Sequence, residues 1–214
     1  MVVGDPKIAR LLEHPAIWRG RSAARRSGLS TGFAALDEHL PDRGWPRAGL
    51  TEILVSRFGS GELALLMPAL AALTRSATAR WCVWVAPPLV PFAPALASCG
   101  VVLDRVALVS ARQVVRFRRD PGMWAFEQTL GSGACDAVLG WARHPKPRDI
   151  RRLQLAAERG RTLGVLFRPL RAAREASAAV LRLSIEPLAA GVRVTLIKGR
   201  SAHRGALDLT WPAS

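Results

Sequence analysis

The sequence has no tyrosine, only three lysines and only three cysteines in 214 residues. Cys82, Cys99 and Cys135 are too few and too widely spaced for a disulfide framework, and no Cys-x-x-Cys pair occurs. Cys82 and Cys135 lie in apolar runs and read as small core residues. His14, His39, His144 and His203 share no metal-ligand spacing, so no metal or other cofactor is expected. No apolar stretch reaches the ~18 residues that a membrane span needs. The longest, residues 63–73, is the length of one core helix and contains Pro68. The opening MVVGDPKIAR lacks the pattern of a secretory signal. A cytoplasmic protein with no membrane contact is expected.

Acidic residues are also scarce. Sixteen Asp and Glu face 31 Lys and Arg, for a formal net charge of +15. Half of the residues are hydrophobic, which excludes a disordered polybasic tail. A chain of this length buries roughly 70% of its unfolded surface as one domain without staples. The charge suggests a polyanionic partner: DNA, RNA or an acidic protein. It equally fits a composition that writes Arg wherever a solvated cation serves, because Lys7, Lys146 and Lys198 are the only lysines.

Residues 6–18 read as a short helix with Ile8, Leu11 and Leu12 on its apolar side, and residues 19–30 as an Arg-rich linker. An N-terminal segment, residues 1–28, is thus set apart from one domain over residues 29–214. Residues 31–40 read as a helix with Phe33, Leu36 and Leu40 on one face. Strands then follow at 51–55, 81–85, 106–109, 134–139 and 163–167. They alternate with helices at 61–73, 92–99, 120–130 and 148–159, the last ended by Gly160. Short apolar strands separated by helices imply an α/β fold with a mostly parallel sheet covered on both faces. After Val180 the apolar period falls to two, over Leu181, Leu183 and Ile185 and again over Val192, Val194 and Leu196. That is an antiparallel hairpin around residues 187–191, with 206–210 as a further edge strand.

The strand at 51–55 runs into Ser56-Arg57-Phe58-Gly59-Ser60-Gly61-Glu62-Leu63 and then a helix. This is the outline of a phosphate loop, G-x-x-x-x-G-K-[ST]. Ser56 replaces the first Gly, Glu62 the Lys that neutralises phosphate, and Leu63 the hydroxyl that holds Mg²⁺. Glu62 at a helix N-terminus would accept the free backbone N–H groups and repel an incoming phosphate. An ordinary strand–helix turn fits the loop equally well.

The surrounding motifs carry a resemblance. STGFAALD at 30–37 followed by GWPRAGLTEI at 44–53 resembles the entry to a RecA-type core. HPAIWRG at 14–20, WVAPPLVPFAPALASCGV at 84–101, SGACDAVLGW at 132–141 and RRLQLAAERGRTLGVLFRP at 151–169 resemble ImuA, the RecA-like accessory family of SOS-induced bacterial translesion synthesis. The resemblance implies a RecA-like core and a non-catalytic adaptor joining ImuB-like and ImuC-like polymerase components to RecA, its DNA filament or single-stranded DNA. It places the catalytic carboxylate near Pro87, the Walker B Asp at Trp141 and the γ-phosphate sensor near Pro169, none of which can do that work. Trp141 would then fill vacated nucleotide space. Asp136, mid-strand, reads as structural.

Three basic clusters follow three successive strands: Arg112, Arg116, Arg118 and Arg119; Arg143, Lys146, Arg148, Arg151 and Arg152; Arg168, Arg171 and Arg174. They lie at the predicted carboxyl edge of the sheet, where α/β folds bind ligands. They are candidates for DNA or partner contact, with a solvated rim as the plain alternative. Trp81 and Trp84 read as core. Leu11, Leu12 and Trp18 are candidates for an interface, including self-association. Two rival readings stand beside the adaptor. One is a cell-division inhibitor like SulA on a degenerate RecA-like scaffold, which needs a surface for an acidic protein. The other is an unusual ATPase that uses Arg57 in place of the missing Lys.

Overall fold

The structure, a computed structural model, describes residues 28–110, 120–199 and 205–211. Its strands are β1 (Gly49–Val55), β2 (Trp81–Val85), β3 (Val106–Val109), β4 (Cys135–Trp141), β5 (Leu163–Pro169), β6 (Leu181–Leu188), β7 (Gly191–Lys198) and β8 (Ala206–Thr210). Its helices are α1 (Ala34–His39), α2 (Met67–Arg75), α3 (Ala93–Ser98), α4 (Pro121–Gly131) and α5 (Pro147–Gly160). Short 3₁₀ turns occupy Leu103–Arg105 and Leu170–Arg174. The eight strands form one mixed sheet in the order β3-β2-β4-β5-β1-β6-β7-β8. The pairs from β3 to β6 are parallel, and β7 and β8 are antiparallel additions. The α/β sheet read from the sequence is therefore present, with the predicted hairpin and edge strand.

Period-two geometry sends alternate residues of each strand to opposite faces. On one face Ile53, Val55, Trp84, Leu139, Val165 and Phe167 pack with Leu36 of α1 and Leu70 of α2. On the other, Leu50, Val85, Val138 and Leu166 pack with Phe126 and Leu130 of α4 and Ile150 and Leu153 of α5. Being covered on both sides, β1 is buried at every position. That burial is why only Thr51 and Glu52 interrupt the apolar residues of its sequence GLTEILV.

Several element boundaries differ from the sequence reading, and two differences have a plain physical cause. The helix expected from Gly61 begins only at Met67, and residues 58–66 are turns and bends. Pro68 explains this, because proline lacks an N–H and fits the first helical turn, not the middle of a helix. At the end of α5 the left-handed residue is Arg161, at φ 51° and ψ 47°, and not Gly160. Gly160 is glycine for a different reason: a Cβ there would lie 1.9 Å from the Leu130 carbonyl oxygen of α4. Gly160→Ala is expected to force α4 and α5 apart and cost about 1–3 kcal/mol. A thermal melt checks this, and an unchanged midpoint would refute the close-approach account.

Asp136 has the structural role read from its position. Arg80 donates to it from Nε at 2.9 Å and from its backbone N–H at 2.7 Å. The same guanidinium reaches the carbonyls of Gly133, Gly160 and Arg161, tying the start of β2 to two turns. Trp84 is buried as expected, whereas Trp81 is 44% exposed. Trp81 opens β2 at the rim, where the sheet is no longer covered.

Candidate functional site

Strands β2, β4, β5 and β1 are consecutive parallel neighbours, so their carboxyl ends lie side by side at about 4.8 Å spacing. After β1, Glu62 is buried and reaches back along its own loop. Gly59 donates its N–H to Oε1 at 2.6 Å and Ser60 donates to Oε2 at 2.7 Å. The expectation placed this carboxylate at a helix N-terminus. It instead occupies a small anion nest of the turn, five residues before α2 starts. Gly61, at φ 93°, is pressed from outside: a Cβ would stand 3.0 Å from the Trp211 ring and 3.1 Å from Val192. Trp211 follows β8, donates its N–H to Ala190 at 3.0 Å, and meets Phe33 edge-on with ring centroids 6.0 Å apart. Leu63 packs into the adjoining core face, while Ser56 and Arg57 are exposed.

At the ends of β4 and β5, Trp141 stacks on Phe167 with centroids 4.9 Å apart, and lies 6.0 Å from the Trp84 ring. Phe58 from the loop after β1 packs against the same core cluster as Trp141. Indole and phenyl groups therefore fill the layer beneath the edge.

After β2 the chain forms an apolar finger. Ala86 takes the left-handed conformation, at φ 49°, and fixes the turn by donating to the Val109 carbonyl at 2.8 Å. Pro87, Pro88 and Pro91 then restrict the backbone. Leu89, Val90 and Phe92 are 77%, 86% and 72% exposed, while Leu96 of α3 is buried and anchors the finger's far end. No sequence reading assigned these residues to a site. The readable signal was three prolines interleaved with large apolar residues immediately after a strand.

The cationic candidates divide. Arg112, Arg116, Arg118 and Arg119 lie outside the described residues, as do Leu11, Leu12 and Trp18. Arg143, Lys146, Arg148, Arg151, Arg171 and Arg174 are exposed. Arg171 donates from Nη2 to the Nε2 of His144 at 3.0 Å, a guanidinium having no lone pair to accept with. Arg152 is partly covered and paired with Glu127 at 2.8 Å.

Arg168 is not a surface contact, and this corrects its place among the candidates. It is 1% exposed and donates to Glu52 at 2.9 Å and to Glu175 at 2.6 Å. Glu52, itself buried on β1, also takes a bond from Arg182 of β6 at 2.5 Å. Arg182 sends its two terminal nitrogens to the carbonyls of Ala172 and Glu175, at 2.7 and 3.0 Å. A buried Arg–Glu–Arg triad thus crosses β5, β1 and β6 beneath the edge. The side chains alternate faces, so Arg168 points inward from a strand end that reads as rim. The missed clue was Glu52, a carboxylate inside an otherwise apolar strand, which needs a cation from a neighbouring strand.

Two of the three thiols, Cys82 and Cys135, are buried, and Cys99 is exposed. Burial pushes the Cys82 thiol up to about 12, with Asp136 and Cys135 adding to the rise, and burial likewise raises Cys135. Among the described residues no three His, Cys, Asp or Glu side chains are grouped to hold a metal ion. Among them, too, no helix is long and apolar enough to cross a membrane.

No family model matches the chain. Two curated relatives do, and both are named cell division inhibitor SulA. The chain is 35% identical to the protein of Photorhabdus laumondii over 104 residues, which are 49% of this chain and 56% of that protein. It is 33% identical to the protein of Edwardsiella piscicida over 119 residues, which are 54% of this chain and 67% of that protein. It thus spans little more than half the length of the first. Among solved structures, SulA from Pseudomonas aeruginosa is 23% identical, with a TM-score of 0.45 over 56% of this chain and 97% of that one. The two curated relatives overturn the ImuA assignment. With it go the translesion-synthesis role and the partners it implied: ImuB-like and ImuC-like components, RecA, its DNA filament and single-stranded DNA. With one third of positions identical across two thirds of the Edwardsiella piscicida protein, the chain belongs to the SulA family.

Proposed function

We propose that this chain blocks cell division by binding an acidic component of the division machinery, and that it works as a stoichiometric binder, not an enzyme. The names of its relatives supply the class of function. The observation that carries the mechanism is the finger at Leu89, Val90 and Phe92, the most exposed cluster of large apolar side chains on the described surface. Proline stiffening reduces the entropy lost when the finger is ordered on a partner. Arg143 and Lys146 follow the next strand, and Arg171 and Arg174 the one after that. An apolar anchor beside exposed cations suits an acidic surface with an apolar cleft, the anchor giving affinity and the rim giving on-rate and orientation.

The loop after β1 supports the non-enzymatic half of the reading. Glu62 stands where a phosphate loop has Lys, and its carboxylate takes the backbone N–H groups that a phosphate would need. Leu63 offers Mg²⁺ no oxygen, and Trp211 presses on the turn from outside.

The test is induced expression in a rod-shaped bacterium, followed by microscopy. Long undivided cells are expected. Cells of normal length containing abundant folded protein would overturn the proposal.

A further inference from the structure

The turn Leu170–Arg174 has only five residues and 3₁₀ geometry, so its own hydrogen bonds hold it weakly. It nevertheless carries two exposed cations, Arg171 and Arg174, after β5, which lies two strands from β2 in the sheet. Its fastening comes from below. Arg182 donates to the carbonyls of Ala172 and Glu175, and Arg168 donates to the Glu175 carboxylate. The buried triad of Glu52, Arg168 and Arg182 carries one positive charge in excess. Glu175 supplies the anion that neutralises it, and its side chain is half exposed. On the outer side, His144 accepts from Arg171 and joins the turn to the segment after β4.

We propose that Glu175 is a positioning residue: its carboxylate latches the 170–174 turn onto the buried triad, and the latch presents Arg171 and Arg174 to the partner. This inference rests on the division-inhibitor reading for its partner, but the latch itself can be tested without one. Without the Glu175 charge, Arg168 keeps its bond to Glu52 and Arg182 keeps its bonds to the Ala172 and Glu175 carbonyls, while the end of the turn loses its carboxylate tie to Arg168. The sheet therefore stays folded while the turn opens.

The experiment compares wild type, Glu175→Gln and Glu175→Asp. Readouts are trypsin cleavage after Arg171 and Arg174, amide exchange over residues 169–176, melting temperature, and division block at matched expression. Where opening precedes cleavage, the rate follows the open population, so Glu175→Gln should cleave about tenfold faster or more. It should lower the melting temperature, though less than loss of Glu52 would because both arginines keep that shared carboxylate, and weaken the division block, and Glu175→Asp should restore part of each property. Equal cleavage and exchange in wild type and Glu175→Gln would overturn the latch. Faster cleavage with an undiminished block would overturn the positioning role while leaving the division-inhibitor reading intact. If the wild type itself causes no block, that reading fails, and cleavage and exchange still decide the latch.

Discussion

Replacing Glu52 with glutamine is expected to lower the unfolding free energy by about 3–5 kcal/mol, the range for removing one partner of a buried ion pair. Glu52 is fully buried and serves two guanidinium groups that are themselves 1% and 5% exposed. The glutamine keeps the shape but removes the charge and turns an NH₂ group toward a cation. Arg168 then keeps only the Glu175 carboxylate, and Arg182 only the carbonyls of Ala172 and Glu175. Against a typical total of about 5–15 kcal/mol, that is a third or more of the stability. A urea titration reads it as a lower midpoint with an unchanged slope. Replacing the whole triad with apolar residues of similar size (Glu52→Leu, Arg168→Met, Arg182→Leu) is expected to be less damaging than the single change, because no charge remains buried and unpaired. A Glu52→Gln protein within about 0.5 kcal/mol of wild type, the usual range for surface changes, would contradict the assignment.

Converting Leu89, Val90 and Phe92 to serine together is expected to abolish division block at any attainable expression level. Single changes should fall into a graded series, with Phe92→Ala the most severe. An aromatic anchor at the centre of an interface contributes about 2–4 kcal/mol, a roughly 30- to 1,000-fold loss of affinity. These side chains are exposed in the free protein, so their loss leaves no cavity and the thermal midpoint should hold. Cell length measured against protein level decides the matter. A triple variant as potent as wild type would show that the partner binds elsewhere.

Most strands were legible in the sequence because a buried strand is a short apolar run between breakers. The runs at Trp81–Val85, Val106–Val109 and Ala206–Thr210 coincide with β2, β3 and β8. The hairpin was legible for a second reason, a period of two on either side of residues 187–191. Apolar character failed where it cannot separate helix from packed turn: Leu63, Leu65 and Leu66 face the core from turns, and only Pro68 marked the true start of α2. The site was less legible still. Arginine is normally a surface residue, so nothing local distinguished buried Arg168 from exposed Arg171 and Arg174. Their difference arises from the triad, whose members are 116 and 130 residues apart along the chain. The finger was visible as a sequence motif, but its exposure follows from Ala86 turning the chain outward. The motifs quoted for the overturned family assignment lie largely on the entry to β1, the end of β2 with the finger and α3, strand β4, helix α5 and strand β5.

Stoichiometric binding is tested most directly by how division block scales with the amount of protein. Single-cell length and copy number are to be followed together through induction and shut-off. A stoichiometric binder predicts that cells lengthen in step with copy number and resume division as the protein is diluted out. Complete block by a handful of copies, or block that outlasts the protein, would mean that the chain acts by turnover and that the reading of its carboxyl edge as a binding surface is wrong.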